Sequence, residues 1–220
     1  MLSYMVVCCQ MEQRRHIVHL AVYDSLADWE PGHLIARINS PLWQREPGRY
    51  AVATVGETRE PVTTMGGVRI VPDLALGELD PAASTMLVLP GADSWDAGRN
   101  GAFARAARRF LDAGVPVAAI CGGTLGLARE GLLDDRDHTS SALAYLAATG
   151  YRGAERYREA PAVTDDDLIT AGATDSLAFA RHALARLGVF EPDVLEAWYT
   201  LFSTGDARAF ATLAAAEAGR

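Results

Sequence analysis

The chain has 220 residues, of which 50% are apolar and 22% are charged, so it can bury a full core and is not intrinsically disordered. The formal net charge is −8, and all 20 basic residues are arginine. The lack of lysine excludes a Schiff-base site, a Walker-type phosphate loop and a lysine base. An acidic total without a basic block also argues against nucleic-acid binding.

The start of the chain carries two of the three cysteines. Cys8 and Cys9 fall in residues 1–15, which we interpret as an N-terminal extension ahead of a single domain over 16–220, with Met11 as an alternative start. Three cysteines are too few for a disulfide framework, which favours a reducing, cytoplasmic location. We expect no signal peptide, and no apolar stretch approaches the roughly 18 residues that span a bilayer.

Short apolar runs alternate with longer amphipathic ones, which predicts a mostly parallel sheet with helices between the strands. The predicted strands lie at 17–23, 50–56, 85–90, 115–120 and 138–141, with hairpins over 61–72 and 160–173. The predicted helices lie at 25–38, 103–114, 124–130, 142–149 and 176–188, with two more near the C-terminus. We therefore predict a three-layer α/β sandwich with helices on both faces of the sheet.

Cys121 is the main candidate for chemistry. It follows the apolar strand VPVAAI and directly precedes Gly122 and Gly123. Small residues around it fit the strained turn of a nucleophile elbow at the carboxyl edge of the sheet. We expect the helix N-terminus to lower the thiol pKa and the Gly122 N–H to be an oxyanion donor. A buried structural cysteine is the alternative, although ordinary helices start with Ser, Thr, Asp or Asn rather than with two glycines.

Three segments resemble the ThiJ/PfpI superfamily over about residues 16–190. They are YDSLADWE (23–30), LVLPGAD (87–93) and VPVAAICGGTLGLAREGLLDDRDHTSS (115–141). The resemblance implies the flavodoxin-like fold of class I glutamine amidotransferases. Within the superfamily, the chain looks closest to the subgroup described as glutamine amidotransferases or intracellular proteases. Homodimerisation is implied by the resemblance alone.

The resemblance also implies roles for individual residues. Cys121 would be the reactive cysteine, Glu30 the acidic residue that contacts its sulfur, and Gly91 the donor of a second oxyanion N–H. A carboxyl pressed against a thiolate in a partly apolar crevice should hold its proton and donate a hydrogen bond. The alternative for Glu30 is a solvated residue in the first turn of a helix.

The chain departs from the superfamily at the catalytic base. Many relatives have a histidine directly after the cysteine or after a Thr-Thr or Thr-Ser pair, where this chain has Gly122 and Ser141. His138 is a candidate base from the neighbouring strand, with a structural role as the alternative. His33 could line the cleft because it lies three residues after Glu30. No Cys–His–acid triad can be assigned.

Two functions remain open. The first is a cysteine-dependent hydrolase or lyase acting on a small carbonyl or amide-like compound through Cys121, Glu30, Gly91 and Gly122. The second is a non-catalytic redox or stress-response protein whose Cys121 is oxidised. No zinc spacing or dinucleotide motif is present, so we expect no metal and no cofactor. The expected partner is a small-molecule substrate, without nucleic acid or membrane.

Overall fold

The computed structural model describes residues 15–218. Cys8, Cys9, Met11 and nearly all of the predicted N-terminal extension lie outside the described residues. None of the helices in the described part is long and apolar enough to cross a membrane.

A seven-stranded sheet lies at the centre of the fold. The strands, including those of a separate small hairpin, are β1 (His16–Ala21), β2 (Tyr50–Gly56), β3 (Val62–Thr63), β4 (Arg69–Ile70), β5 (Leu74–Ala75), β6 (Met86–Leu89), β7 (Val117–Ile120), β8 (Ala162–Asp165) and β9 (Leu168–Ala171). The sheet order is β5-β2-β1-β6-β7-β9-β8, and β3 pairs with β4 outside it. Every neighbouring pair in the sheet is parallel except β8 and β9.

Helices cover both faces of the sheet, as predicted. They are α1 (Trp29–Asn39), α2 (Asp93–Asp96), α3 (Gly101–Asp112), α4 (Gly122–Arg129), α5 (Leu143–Ala147), α6 (Ser176–Leu187), α7 (Pro192–Thr204) and α8 (Phe210–Ala218). One layer contains α1 and α6, which pack on each other, and the other contains α3 and α4. Helix α7 packs on α6, and α8 packs on α7. The architecture is a flavodoxin-like α/β fold.

The central strands are buried along their whole length. All four residues of β6 and all four of β7 are inaccessible to solvent, as expected for parallel strands covered on both faces. The chain passes outward from β1 to β2 and β5, and then returns to β6 on the other side of β1. Such a reversal opens a crevice at the carboxyl ends of the strands, where ligands of α/β proteins bind.

Two predicted elements differ from the structure. The first helix begins at Trp29 rather than at residue 25, because Ser25 has a left-handed φ of 60° and Leu26 forms a β-bridge with Ala92. Residues 138–141 form no strand and make only an isolated bridge between His138 and Tyr157. The prediction of a strand was wrong because β9 occupies the position beside β7.

Candidate active site

Cys121 lies at a strained turn between β7 and α4. Its φ of 54° and ψ of −121° are rare for a residue with a side chain and cost about 1–3 kcal/mol. The turn is held by its own N–H, which donates to Ala171 O at 3.1 Å, and by its carbonyl, which accepts from Thr124 N at 3.0 Å and Thr124 Oγ1 at 2.6 Å. This geometry agrees with the predicted nucleophile elbow.

The two glycines after Cys121 allow α4 to approach its neighbours closely. A Cβ at Gly122 would lie 2.8 Å from Trp95 Cδ1, and one at Gly123 would lie 2.2 Å from Leu89 O. Any side chain at either position would push α4 away from β6 and α2. The Gly-Gly pair is therefore required to place Cys121 against the end of β6.

Glu30 meets Cys121 in the interior of the protein. It lies in the first turn of α1, is fully buried, and accepts a hydrogen bond through Oε2 from Gly91 N at 2.5 Å. A Cβ at Gly91 would lie 2.8 Å from Glu30 Oε2 and 2.9 Å from Cys121 Sγ, so the carboxyl and the thiol converge on this glycine. Glu30 Oε1 has no hydrogen-bond partner among the described residues. We refer to Cys121, Glu30 and Gly91 as the thiol site.

Burial controls the electrostatics of the thiol site. It raises the pKa of Glu30 to about 7, against the opposing effect of the Gly91 N–H. Burial, and then the charge of Glu30, raise the pKa of Cys121 to about 12, although the Gly122 N–H and the Ser141 hydroxyl oppose this. The predicted lowering of the thiol pKa was wrong, because desolvation and the neighbouring carboxyl outweigh the start of α4.

These two pKa values define the charge of the pair. Between about pH 7 and about pH 12, Glu30 and Cys121 together carry one negative charge and one proton. A proton on Glu30 Oε1 would give this unpartnered oxygen a hydrogen to donate, and would leave the charge on sulfur near the Gly122 N–H. The order of the two pKa values places the proton on the sulfur, beside an ionised Glu30, and its transfer to Glu30 Oε1 would produce the thiolate.

Gly91 does not supply an oxyanion donor in this structure. Its N–H is already donated to Glu30 Oε2, so the predicted second donor is used to position the carboxyl. The Gly122 N–H, which faces the sulfur, is the donor available for an oxyanion.

Tyr23 and Trp95 brace the segment that carries Gly91. The Tyr23 hydroxyl donates to Pro90 O, and Trp95 Nε1 donates to Tyr23 Oη at 3.0 Å and Pro90 O at 2.9 Å. Tyr23 was not predicted as a residue of the site. Its position at the end of the predicted first strand, at the carboxyl edge of the sheet, was the available signal.

The structure does not bring the candidate histidines to the sulfur. His138 is fully buried between the rings of Tyr151 and Tyr157, and its nitrogens contact Arg136 O at 2.7 Å and Tyr151 Oη at 3.2 Å. Both of its ring nitrogens are therefore occupied away from Cys121.

His33 and a further histidine, His182, also make their contacts elsewhere. The ring of His33 packs edge-on against Trp198 and Phe202, and His182 Nδ1 contacts Thr164 Oγ1 at 2.8 Å. His33 thus supports the packing of α1 on α7 instead of lining the cleft.

Two polar side chains near the sulfur are those of Ser141 and Tyr145. The Ser141 hydroxyl hydrogen-bonds the sulfur and accepts from Ala173 N at 3.3 Å. Tyr145 donates to Asp96 Oδ1 at 2.8 Å and lies within electrostatic range of Cys121. Within residues 15–218, no group of three or more His, Cys, Asp or Glu side chains could hold a metal ion.

Comparison with known proteins finds sequence relatives over most of the chain. A sequence profile of the DJ-1/PfpI family matches residues 16–186. The chain is 40% identical over 190 residues to the uncharacterized protease YoaZ of Bacillus subtilis (strain 168), which covers 85% of this chain and 90% of the relative. It is 34% identical over 125 residues to protein/nucleic acid deglycase 2 of Escherichia coli (strain K12), which covers 56% of this chain and 72% of the relative.

A solved structure extends the likeness to the whole fold. The crystal structure of the ThiJ/PfpI family protein from Bacillus anthracis superposes with a TM-score of 0.84 at 36% identity and covers 93% of this chain and 97% of the other. The match includes the elements that carry Glu30, Gly91 and Cys121. The chain therefore belongs to the DJ-1/PfpI family.

Proposed function

We propose that the protein is a cysteine-dependent hydrolase or lyase acting on a small carbonyl or amide-like compound. The observation that supports this best is the convergence of a buried carboxyl, with one unpartnered oxygen, and a thiol held at a strained elbow. Relatives named as a protease and a deglycase support a hydrolase-like function at the level of the family.

The first chemical step starts from the singly charged pair, after the thiol proton has moved from Cys121 to Glu30. The thiolate of Cys121 attacks the carbonyl carbon and forms a C–S bond, while the π electron pair moves onto the carbonyl oxygen. The Gly122 N–H stabilises that oxygen, and neutral Glu30 transfers its proton to it. With an aldehyde, the product of this step is a neutral hemithioacetal beside an ionised Glu30.

Small, reactive carbonyl compounds suit this site better than peptide bonds. An amide requires a further proton for its leaving nitrogen, whereas a dicarbonyl compound has no leaving group to protonate. In the described part of the chain, Glu30 is the titratable side chain that touches the sulfur, and the histidines are engaged elsewhere. With a dicarbonyl, the ionised Glu30 can then move the C–H proton of the hemithioacetal to the neighbouring ketone carbon, which gives a thioester. The same carboxyl can take a proton from the water that hydrolyses this thioester and releases the Cys121 thiol.

Turnover of methylglyoxal, a small dicarbonyl compound, tests the proposal. Its conversion to lactic acid adds one molecule of water and needs no other co-reactant. We expect lactate formation by the unmodified protein and its loss in Cys121→Ser and Glu30→Gln. A Cys8→Ser/Cys9→Ser double variant is the matched control and should keep its activity. Lactate formation by Cys121→Ser at the unmodified rate would contradict the proposal.

Oxidation of Cys121 is the second candidate function. The sulfur is partly accessible and is surrounded by the Gly122 N–H, the Ser141 hydroxyl and the unpartnered Glu30 Oε1, which could together hydrogen-bond a sulfinate. Hydrogen peroxide would supply both oxygens and be reduced to water at each step. Titration with peroxide and peptide mass spectrometry should show oxygen addition at Cys121 before Cys8 and Cys9. Equal oxidation of all three cysteines would count against this function.

A further inference from the structure

A second cavity lies at the carboxyl edge of the sheet, apart from the thiol site. It has a volume of about 260 Å³, and its walls come from the segments that follow β1, β2 and β6. Tyr23 lines it, whereas Cys121, Glu30 and Gly91 do not. We call it the Tyr23 cavity. Because the chain reverses direction between β1 and β6, this is a position where α/β folds bind ligands.

Charged side chains of both signs line the Tyr23 cavity, and one of them, Asp24, accepts a hydrogen bond through Oδ1 from Thr63 N at 2.9 Å. Asp24, Glu57 and Glu60 contribute carboxylates, and Arg99 contributes a guanidinium. Within residues 15–218 none of these four side chains forms an ion pair, either with one another or with another group. A ligand that carries both an anionic and a cationic group could pair with both kinds of charge in this cavity.

The buried polar wall of the cavity favours a carboxylate beside Arg99. Ser94 and Asn100 are both more than nine-tenths buried, and Asn100 Nδ2 donates to Ser94 Oγ at 2.6 Å. Asn100 also precedes α3, a helix of 12 residues whose first turn has no side-chain cap. Phe103 N and Ala104 N donate to Asn100 O, so the N–H groups of Gly101 and Ala102 and the partial positive charge of the helix start are what attract an anion.

Apolar side chains complete the wall. Val22 and Phe103 line the cavity with the polar groups, which provides a surface for a short apolar group. The volume is below the range of about 300–1,000 Å³ typical of sites for drug-sized ligands, so a metabolite-sized molecule fits best.

We propose that the Tyr23 cavity binds a small zwitterion, an α-amino acid with an apolar side chain or a compound of the same chemistry. Its carboxylate lies toward Arg99 and the start of α3, and its ammonium group lies toward Asp24, Glu57 and Glu60. This site goes beyond the proposed function and does not depend on it, because Cys121 is not part of its wall.

Calorimetric titration of the full chain with L-leucine tests the proposal. We expect saturable binding of one L-leucine per chain, and binding weaker by about tenfold or more for N-acetyl-L-leucine and for L-leucinamide, each of which lacks one charge. Equal binding of all three compounds, or no saturable binding of L-leucine, would overturn it. The titration is repeated on Cys121→Ser, which should bind equally well, so that failure of the catalytic proposal does not affect the outcome.

Two arginine variants locate the site. Arg99→Gln should weaken L-leucine binding by about tenfold, because it removes the partner of the carboxylate. Arg109→Gln loses the same charge from the exposed side of α3, outside the cavity, and should bind as the unmodified protein does. Equal effects of the two substitutions would show binding elsewhere and would overturn the assignment. Arg99→Gln should leave methylglyoxal turnover unchanged.

Discussion

Replacing Glu30 by glutamine should stabilise the protein at alkaline pH while it removes activity. In the unfolded chain the Glu30 carboxyl ionises at its ordinary pKa of 4.5, but burial in the fold raises this pKa to about 7. Between these values the folded state holds more protons than the unfolded state, so the free energy of unfolding falls as the pH rises. The difference of 7 − 4.5 = 2.5 corresponds to about 3 kcal/mol, lost in full above pH 7.

Glutamine has nearly the same shape and no charge to bury. We therefore expect the free energy of unfolding of Glu30→Gln, relative to the unmodified protein, to increase by up to about 3 kcal/mol between about pH 4 and about pH 8. Urea denaturation at both pH values measures this difference, and Glu159→Gln, at an exposed position, is the matched control. A Glu30→Gln profile that follows the Glu159→Gln profile would refute the buried ionisation.

Three further predictions concern the strained turn at Cys121, the hydrogen bonds of Trp95 and the role of His138. Cys121→Gly should be more stable than Cys121→Ala by about 1 kcal/mol in urea, because glycine relieves the positive φ at this turn; equal stabilities would argue against strain. Trp95→Phe loses the indole hydrogen bonds to Tyr23 and Pro90, so its free energy of unfolding should fall by about 1–3 kcal/mol, and an unchanged value would show that the brace does not contribute. His138→Gln should unfold at lower urea concentration yet leave the pH dependence of Cys121 alkylation unchanged; a shifted profile would reinstate His138 as the base.

The central strands were predictable because burial on both faces gives them uninterrupted apolar runs. Strand β2 has the predicted bounds, and the hairpin around Gly66 and Gly67 forms as expected. The segment at 138–141 has a strand-like composition, but a strand also needs a free neighbour in the sheet. That neighbour position was taken by β9, which follows later in the chain.

The residues of the candidate site could be predicted from the sequence, but their pKa shifts could not. A strand that runs into Cys-Gly-Gly indicated the elbow, and the resemblance implied that Glu30 and Gly91 would lie beside it. The sign of the Cys121 pKa shift depends on how deeply the sulfur and the carboxyl are buried together, which no local pattern encodes. The hydrogen bond from the Gly91 N–H to Glu30 could not be predicted either, because the two residues lie 61 positions apart in the sequence.

The pH dependence of Cys121 alkylation tests most directly whether Glu30 controls the thiol. Iodoacetamide would be applied to the unmodified protein and to Glu30→Gln, with each cysteine followed by peptide mass spectrometry and Cys8 and Cys9 as internal references. A thiolate beside a neutral carboxyl exists only after the pair has lost one proton. We therefore predict a rate that rises through about pH 7 in the unmodified protein.

In Glu30→Gln the thiol titrates alone, and burial keeps its pKa above the ordinary value of 9.0. The rise should then move above pH 9, and the rise through about pH 7 should disappear. A rise at the same pH in both proteins would contradict the shared proton between Glu30 and Cys121.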